Sequence, residues 1–419
     1  MTSINAWFAS VLLAADLLGH AASPVFVASD TEGTAGRCAA PLSVQVDLAN
    51  LLSAPSAVNR ITVSLMNEPK PGQSALIPAQ FEPDTAGSSR GKVWWLMPPG
   101  KGARRKFALA ERATAGEPVT EARKDSVTGR WDIRDAGKPV LGYNYQTNEP
   151  GALLSSIHPD NLKYARARGD YIHPLFGLDG EVLTKDWSVD HPHHRGIYWA
   201  WPEVDYRGER GDLHALQRVF ARPTGRCVGE SGPLFARIEA ENLWLWEDKE
   251  PIVREVAIIR AWHTGPTGRL IDLEFQFTAL KDDVAIARRE TKFYGGLNMR
   301  FASVKDQRID LHTDAAEASP RRAWAELFGE FAGGRGPVGL VVFQTPTNPD
   351  YPGDWVKYPD LNWLQPTFPA AGKRYVLKKD QPLTLLYRLW IHPGTASEEQ
   401  LTDGWDVWAN PPKVTIEKQ

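Results

Sequence analysis

The sequence predicts an all-β protein: a small N-terminal β-sandwich, a larger antiparallel β-sandwich after it, and one short C-terminal helix. Three observations carry this expectation. Short apolar segments alternate with a period of two along most of the chain, as strands with one buried face do. The 419 residues include 35 Gly and 32 Pro, which suits a chain that turns often. Helical spacing is scarce between the strands, which favours antiparallel sheets over strand–helix–strand units.

In chain order, residues 1–37 read as a leader or signal peptide followed by a linker. Trp7 to Leu18 is a short apolar run, and Gly19-His20-Ala21 after it offers a small-x-small cleavage site, the pattern of an export signal. A periplasmic or secreted protein follows, although no Lys or Arg precedes Arg37 and Asp16 interrupts the run. Residues 38–128 hold the small sandwich. Its expected strands are Leu42 to Leu48, Ile61 to Leu65, Lys92 to Met97 and Lys106 to Ala110, and the polar stretch 111–128 serves as a linker.

Residues 129–419 form the large sandwich. Ile271, Leu273, Phe275 and Phe277 alternate with polar neighbours, and Ile252 to Ile259 is rich in β-branched residues. Between Pro382 and Ile391 both faces carry apolar residues, which predicts a strand covered on both sides. Ser397-Glu398-Glu399-Gln400 has capping-box spacing, with Leu401 and Trp405 four apart behind it, and predicts the helix.

Composition excludes several functions. Lys and Arg number 48 against 51 Asp and Glu, with no basic stripe, so nucleic acid is not an expected partner. No stretch reaches the roughly 18 apolar residues of a spanning helix, so no stable membrane span is expected. Dinucleotide, P-loop and serine-hydrolase signatures are missing. The 16 Trp fit either a sandwich core or faces on which sugars stack, so the expected partner is a small molecule or oligosaccharide. Cys38 and Cys227 are open to pairing or to remaining free. The sequence carries no sign of oligomeric state.

One stretch concentrates chemistry. Four of the ten His fall between 173 and 194. His191, His193 and His194 are candidate proton carriers, since imidazole titrates near neutrality. Extended chain would place His191 and His193 on one face and His194 on the other. Arg195 offers a donor fork for an anionic oxygen. His173, Asp179 and Glu181 complete the candidate catalytic set. Tyr198, Trp199 and Trp201 are the candidate substrate wall, with Tyr294 and Asn298 from a second glycine-containing segment. A divalent metal on His173, His191 and His193, with Glu181 as a substitute ligand, is a competing reading. Buried, hydrogen-bonded histidines with a structural Arg195 are a third.

The run Tyr171-Ile172-His173-Pro174-Leu175-Phe176-Gly177-Leu178-Asp179-Gly180-Glu181-Val182-Leu183-Thr184, followed by Asp190-His191-Pro192-His193-His194-Arg195-Gly196, resembles the hallmark of the DUF6807 family. Tyr294-Gly295-Gly296-Leu297 and Asn348-Pro349 with Trp355 are similar to later segments of that family, and the likeness spans about residues 135–410. Phe176 stands where a Tyr is expected. The resemblance implies an exported β-sandwich protein, often encoded beside sugar-processing genes, whose large domain is similar to the galactose-mutarotase-like supersandwich. Members are often labelled methane oxygenase, a label that does not suit a chain without long apolar spans. Together these readings lead to the expectation of a carbohydrate-active hydrolase, lyase or epimerase, with a non-catalytic carbohydrate-binding protein and a three-His metal-dependent enzyme as alternatives.

Overall fold

The computed structural model describes residues 24–29, 39–52, 60–66, 76–100, 104–112, 114, 116–265 and 268–417. The apolar leader run and Cys38 lie outside the described residues, and the described Cys227 is a free thiol. Among the described residues no helix is long and apolar enough to cross a membrane.

The chain forms two compact units. The first comprises residues up to Glu117 together with Pro412–Gln419. Its described residues form one continuous seven-stranded antiparallel sheet. Ala40–Asp47 alternates buried and less buried residues, and it pairs along its whole length with Arg90–Met97. Leu76–Pro83 changes partner partway, from Ile61–Met66 to Arg90–Met97. Trp95 anchors the core, with Phe26 at 5.6 Å and Phe107 at 5.4 Å between ring centres.

Three features depart from expectation here. Val25–Ser29, inside the expected leader and linker, is a central strand between Arg104–Glu111 and Lys413–Glu417. The last strand of the chain therefore belongs to the first unit, not to the second. The boundary falls at Glu117/Pro118 rather than at 128/129. Thr120–Asp125 looks like linker because it is an edge strand with charged residues facing water, a common guard against edge-to-edge pairing.

The second unit packs two eight-stranded antiparallel sheets on one core, the expected large sandwich. The first sheet runs in the order Trp355–Tyr358, Trp363–Pro366, Gly296–Arg300, Ile197–Ala200, Tyr171–Leu175, Lys138–Asn144, Arg130–Asp135, Thr120–Asp125. The second contains Phe235–Trp246, Glu250–Trp262, Arg269–Ala279, Leu383–Pro393 and Val338–Gln344 at its centre. Arg269–Ala279 alternates strictly, its Ile271, Leu273, Phe275 and Phe277 turned to the core. The helix Glu398–Ala409 starts at the capping box of Ser397 and Gln400. Its Leu401 and Trp405 pack on Trp324, Val341 and Phe343, covering the outer face of the second sheet.

A carboxyl pair sits inside this sandwich. Asp170 accepts hydrogen bonds from the Tyr143 hydroxyl and the Asn242 amide, both at 2.8 Å. Glu255 accepts from the Trp244 indole at 2.8 Å. Burial is the main cause that raises both acids, Asp170 to about 6 and Glu255 well above its usual range, with the Asp170 charge raising Glu255 further. The folded pair thus holds a proton that the unfolded chain has released above the ordinary carboxylate range. Its contribution to stability is largest in acid and is lost as pH rises through the raised folded values. Relative to the double variant Asp170→Asn/Glu255→Gln, the wild type is expected to lose urea resistance steadily from pH 5 to pH 8. A pH-independent difference between the two would overturn this.

Candidate functional site

Alternation along the first sheet sorts its residues into two faces. Ile172, Leu175, Ile197 and Trp199 turn inward to the sandwich core. Tyr171, Tyr198 and Ala200 form a separate buried cluster on the outer face. Asn298 lies directly across from Tyr198, and Trp363 directly across from Arg300, so Asn298, Arg300, Trp363 and Gln365 share that outer face.

The histidine loop is tied onto it at its base. Gly196 N–H donates to Lys185 O, Arg300 N–H donates to Gly196 O, and Lys185 N–H donates to Arg300 O. Gly196 has a φ of +59°, and a Cβ there would sit 2.2 Å from Ile172 O. Only glycine satisfies both the left-handed backbone and the close approach. Within the loop, His194 N–H donates to His191 O. That turn replaces the expected extended chain, so His193 and His194 converge instead of pointing to opposite faces.

A third imidazole joins them from a distant part of the chain. His214 follows the strand Glu209–Gly211, in a loop closed by reciprocal hydrogen bonds between Asp212 and Gln217 backbones. The buried Arg168 guanidinium donates to the carbonyls of Leu213 and His214, both at 2.8 Å, and lies over the Tyr198 ring. The Tyr198 hydroxyl is hydrogen-bonded to His214 Nδ1 at 3.1 Å.

The result is a compact triad of imidazoles. His193 lies 4.5 Å from His194 and 4.6 Å from His214 between ring centres, and His194 lies 5.2 Å from His214. One nitrogen from each falls within 4.8 Å of the others. Trp363 stacks on His194 at 5.7 Å, and Tyr294 meets His214 edge-on at 5.5 Å. Burial is the largest cause that holds all three imidazoles neutral. It pushes His193 down to about 3, helped by the charges of His191, Arg168 and Arg300, and it pushes His194 and His214 well below their usual value. Neutral imidazoles with a free lone pair are ligands or acceptors; their low basicity makes them poor proton carriers at neutral pH.

Around the triad, buried polar atoms go without protein partners. They are Nδ1 of His193 and of His194, both side-chain atoms of Asn298, Nε and Nη1 of Arg300, Nε1 of Trp363 and Nε2 of Gln365. Native proteins rarely leave such atoms alone. A concentration of them on one face marks a place built for a polar ligand.

The sequence-predicted residues divide as follows. His193, His194, Tyr198, Tyr294 and Asn298 belong to this face. His191 stands at the rim, 2.9 Å from Asp190 and stacked on His194 at 4.8 Å, and Asp190 in turn meets Arg300 at 3.4 Å. His173 is apart from the triad. It is hydrogen-bonded to Thr184 Oγ1 at 3.0 Å, and burial lowers its pKa. The expected metal set of His173, His191 and His193 is therefore not the one the fold brings together.

Four further expectations need correction. Arg195 is fully buried and pairs with Asp186 and the Tyr171 hydroxyl, between the rings of Trp187 and Tyr171; its Nε and Nη2 hold the loop, while Nη1 is buried without a partner. Trp199 and Trp201 are core residues stacked at 4.5 Å, packed on Phe275 and Phe277 of the opposite sheet. Asp179 is paired with Arg335 and lines a different cavity of about 710 Å³, which holds none of the triad. Glu181 accepts from the Asp179 backbone at 2.9 Å, a turn-fixing role. Sequence reading missed His214, Arg168, Arg300, Trp363 and Gln365. Arg300 had a signal, standing two residues from Asn298 on the same strand face; the lone His214 had none.

A family model described as a family of unknown function (DUF6807) matches residues 130–406. That span holds the whole outer face and the triad. No curated protein matches the chain. The match covers more than half of the sequence, and it begins at Arg130, in the second strand of the hairpin that opens the large sandwich: the chain belongs to the DUF6807 family.

Proposed function

We propose that this chain is a carbohydrate-active enzyme whose site is the outer face of the first sheet, around His193, His194, His214, Asn298, Arg300 and Gln365. The cluster of unpartnered buried polar atoms carries the reading. Sugars present hydroxyl groups that need both donors and acceptors at fixed positions, and Asn298 supplies both. Trp363 and Tyr294 provide the aromatic wall. Arg300 presents two free N–H groups beside the triad, suited to a carboxylate or a carbonyl that gains negative charge during hydrolysis, elimination or epimerisation.

A purely binding role predicts that Trp199 and Trp201 carry the affinity for a sugar. Both indoles lie in the core, so that reading loses its support. The leader Trp7–Leu18 supports an exported enzyme, and the mass of the mature N-terminus in its native host tests that.

The proposal is tested with a panel of neutral, acidic and oxidised glycosides, assayed for turnover. Arg300→Met and Asn298→Ala are each expected to lower kcat/KM by about 100-fold or more, the scale of losing a preorganised donor. His173→Ala is expected to stay within a few-fold of wild type. Absence of turnover across the panel, or unchanged kinetics in both site variants, would remove this function from consideration.

A further inference from the structure

We propose that His193, His194 and His214 together bind one divalent transition-metal ion of the zinc class, leaving a coordination position for an oxygen of the substrate. The metal site stands on its own geometry; only the identity of the substrate oxygen rests on the sugar reading.

The donor set comes first. Three imidazoles from two separate loops place one nitrogen each within 4.8 Å of the others. Tetrahedral coordination with Zn–N bonds of about 2.0–2.1 Å needs nitrogens roughly 3.3 Å apart, so small side-chain rotations close the set. Three neutral nitrogens with no carboxylate or thiolate leave the ion's charge undiminished, which suits a site that polarises an oxygen.

Burial and partners come second. His194 and His214 are each 3% exposed, and Nδ1 of both His193 and His194 lacks a hydrogen-bond partner. Two buried imidazoles and a half-buried third, in ring contact, gain little from one another, while leaving their buried polar atoms unmatched is costly. A shared cation would give each ring a partner. Histidine ligands usually have their other nitrogen held by an outer group, and Tyr198 already holds Nδ1 of His214 at 3.1 Å. That leaves Nε2 of His214 as its ligating atom.

Charge comes third. Arg168 donates to the His214 carbonyl, and Arg300, paired with Asp190 at 3.4 Å, also acts on His193 by its charge. A divalent ion beside two guanidinium groups calls for an anionic fourth ligand. Hydroxide, or the carboxylate or enediolate oxygen of an acidic or keto sugar, fits that requirement. Arg300 has two free N–H groups to share such an oxygen with the metal.

The experiment uses the full chain, purified without chelators, stripped with a strong chelator, and titrated with Co²⁺. The expected result is a visible d–d absorption band that saturates at one equivalent and is displaced by Zn²⁺. His194→Ala and His214→Ala are expected to weaken Co²⁺ affinity at least a hundredfold, and Tyr198→Phe about tenfold. His173→Ala, which removes a member of the sequence-predicted set, leaves affinity unchanged. Circular dichroism confirms that each variant is folded, and the wild-type titration stands whether or not a variant folds. A wild-type protein that shows no saturable Co²⁺ or Zn²⁺ binding would overturn the inference, as would unchanged affinity in folded His214→Ala. Metal binding without sugar turnover would retain this inference and sink the sugar reading. Turnover that persists in metal-free protein would retain the sugar reading and overturn the claim that the metal holds a substrate oxygen.

Discussion

Replacing Arg195 with alanine is expected to destabilise the large unit by about 3–5 kcal/mol, the usual cost of removing one partner of a buried ion pair. The guanidinium is 0% exposed. Its Nε and Nη2 both donate to Asp186, and Nη2 also donates to the Tyr171 hydroxyl. Trp187 and Tyr171 lie over its plane, with the guanidinium carbon 3.5 Å and 4.6 Å from their ring centres. Alanine leaves the Asp186 carboxylate uncompensated and opens a void between two rings. Lysine is a poor rescue, because a single ammonium replaces neither the fork nor the stacking plane. Adding Asp186→Ala should recover part of the loss, since no lone charge then remains. Urea unfolding of the four proteins measures this. A folded Arg195→Ala of wild-type stability with abolished ligand binding would return Arg195 to the functional site.

Trp201→Ala should be comparably severe, about 3–5 kcal/mol for a large aromatic removed from a core. Trp201 is fully buried. It stacks on Trp199 and meets Trp244 at 5.4 Å and Phe277 at 5.2 Å. Its indole N–H donates to Phe368 O at 2.7 Å. Trp201→Phe keeps much of the volume and leaves that carbonyl unmatched, so a smaller loss of about 1–3 kcal/mol is expected. Thermal and urea unfolding give the stabilities, and calorimetry on folded Trp201→Phe gives the affinity. The outer face should bind Co²⁺ as the wild type does, because the indole lies on the other side of the sheet. Lost affinity with stability intact would show that the indole belongs to the site after all.

These two residues show how far local pattern reaches. Both stood in the candidate site because they sit next to the histidines in sequence. The period-two rule already separates Tyr198 from Trp199 and Trp201, since neighbours on a strand face opposite sides. What it leaves open is which side is the core. That is decided by the second sheet, whose Phe275 and Phe277 meet the indoles.

The all-β class, the strand Arg269–Ala279, the capped helix Glu398–Ala409 and the family motif were all legible in the chain. The strand and the helix depend on residues within a dozen positions of one another, where periodicity and capping operate, and the class and the motif are read along the chain without knowing which segments meet. Tertiary structure alone decided the rest. Val25–Ser29 and Lys413–Glu417 are paired neighbours from opposite ends of the chain, and no local signal links them. His214 reaches His193 and His194 because Arg168 and Tyr198 hold its loop against the outer face. The Arg195–Asp186 pair spans only nine residues, yet its burial depends on the rings of Tyr171 and Trp187 that close over it. Local spacing determined which side chains were available for chemistry; long-range pairing determined which of them share one buried volume, because burial and partnership depend on chain segments that meet only after folding.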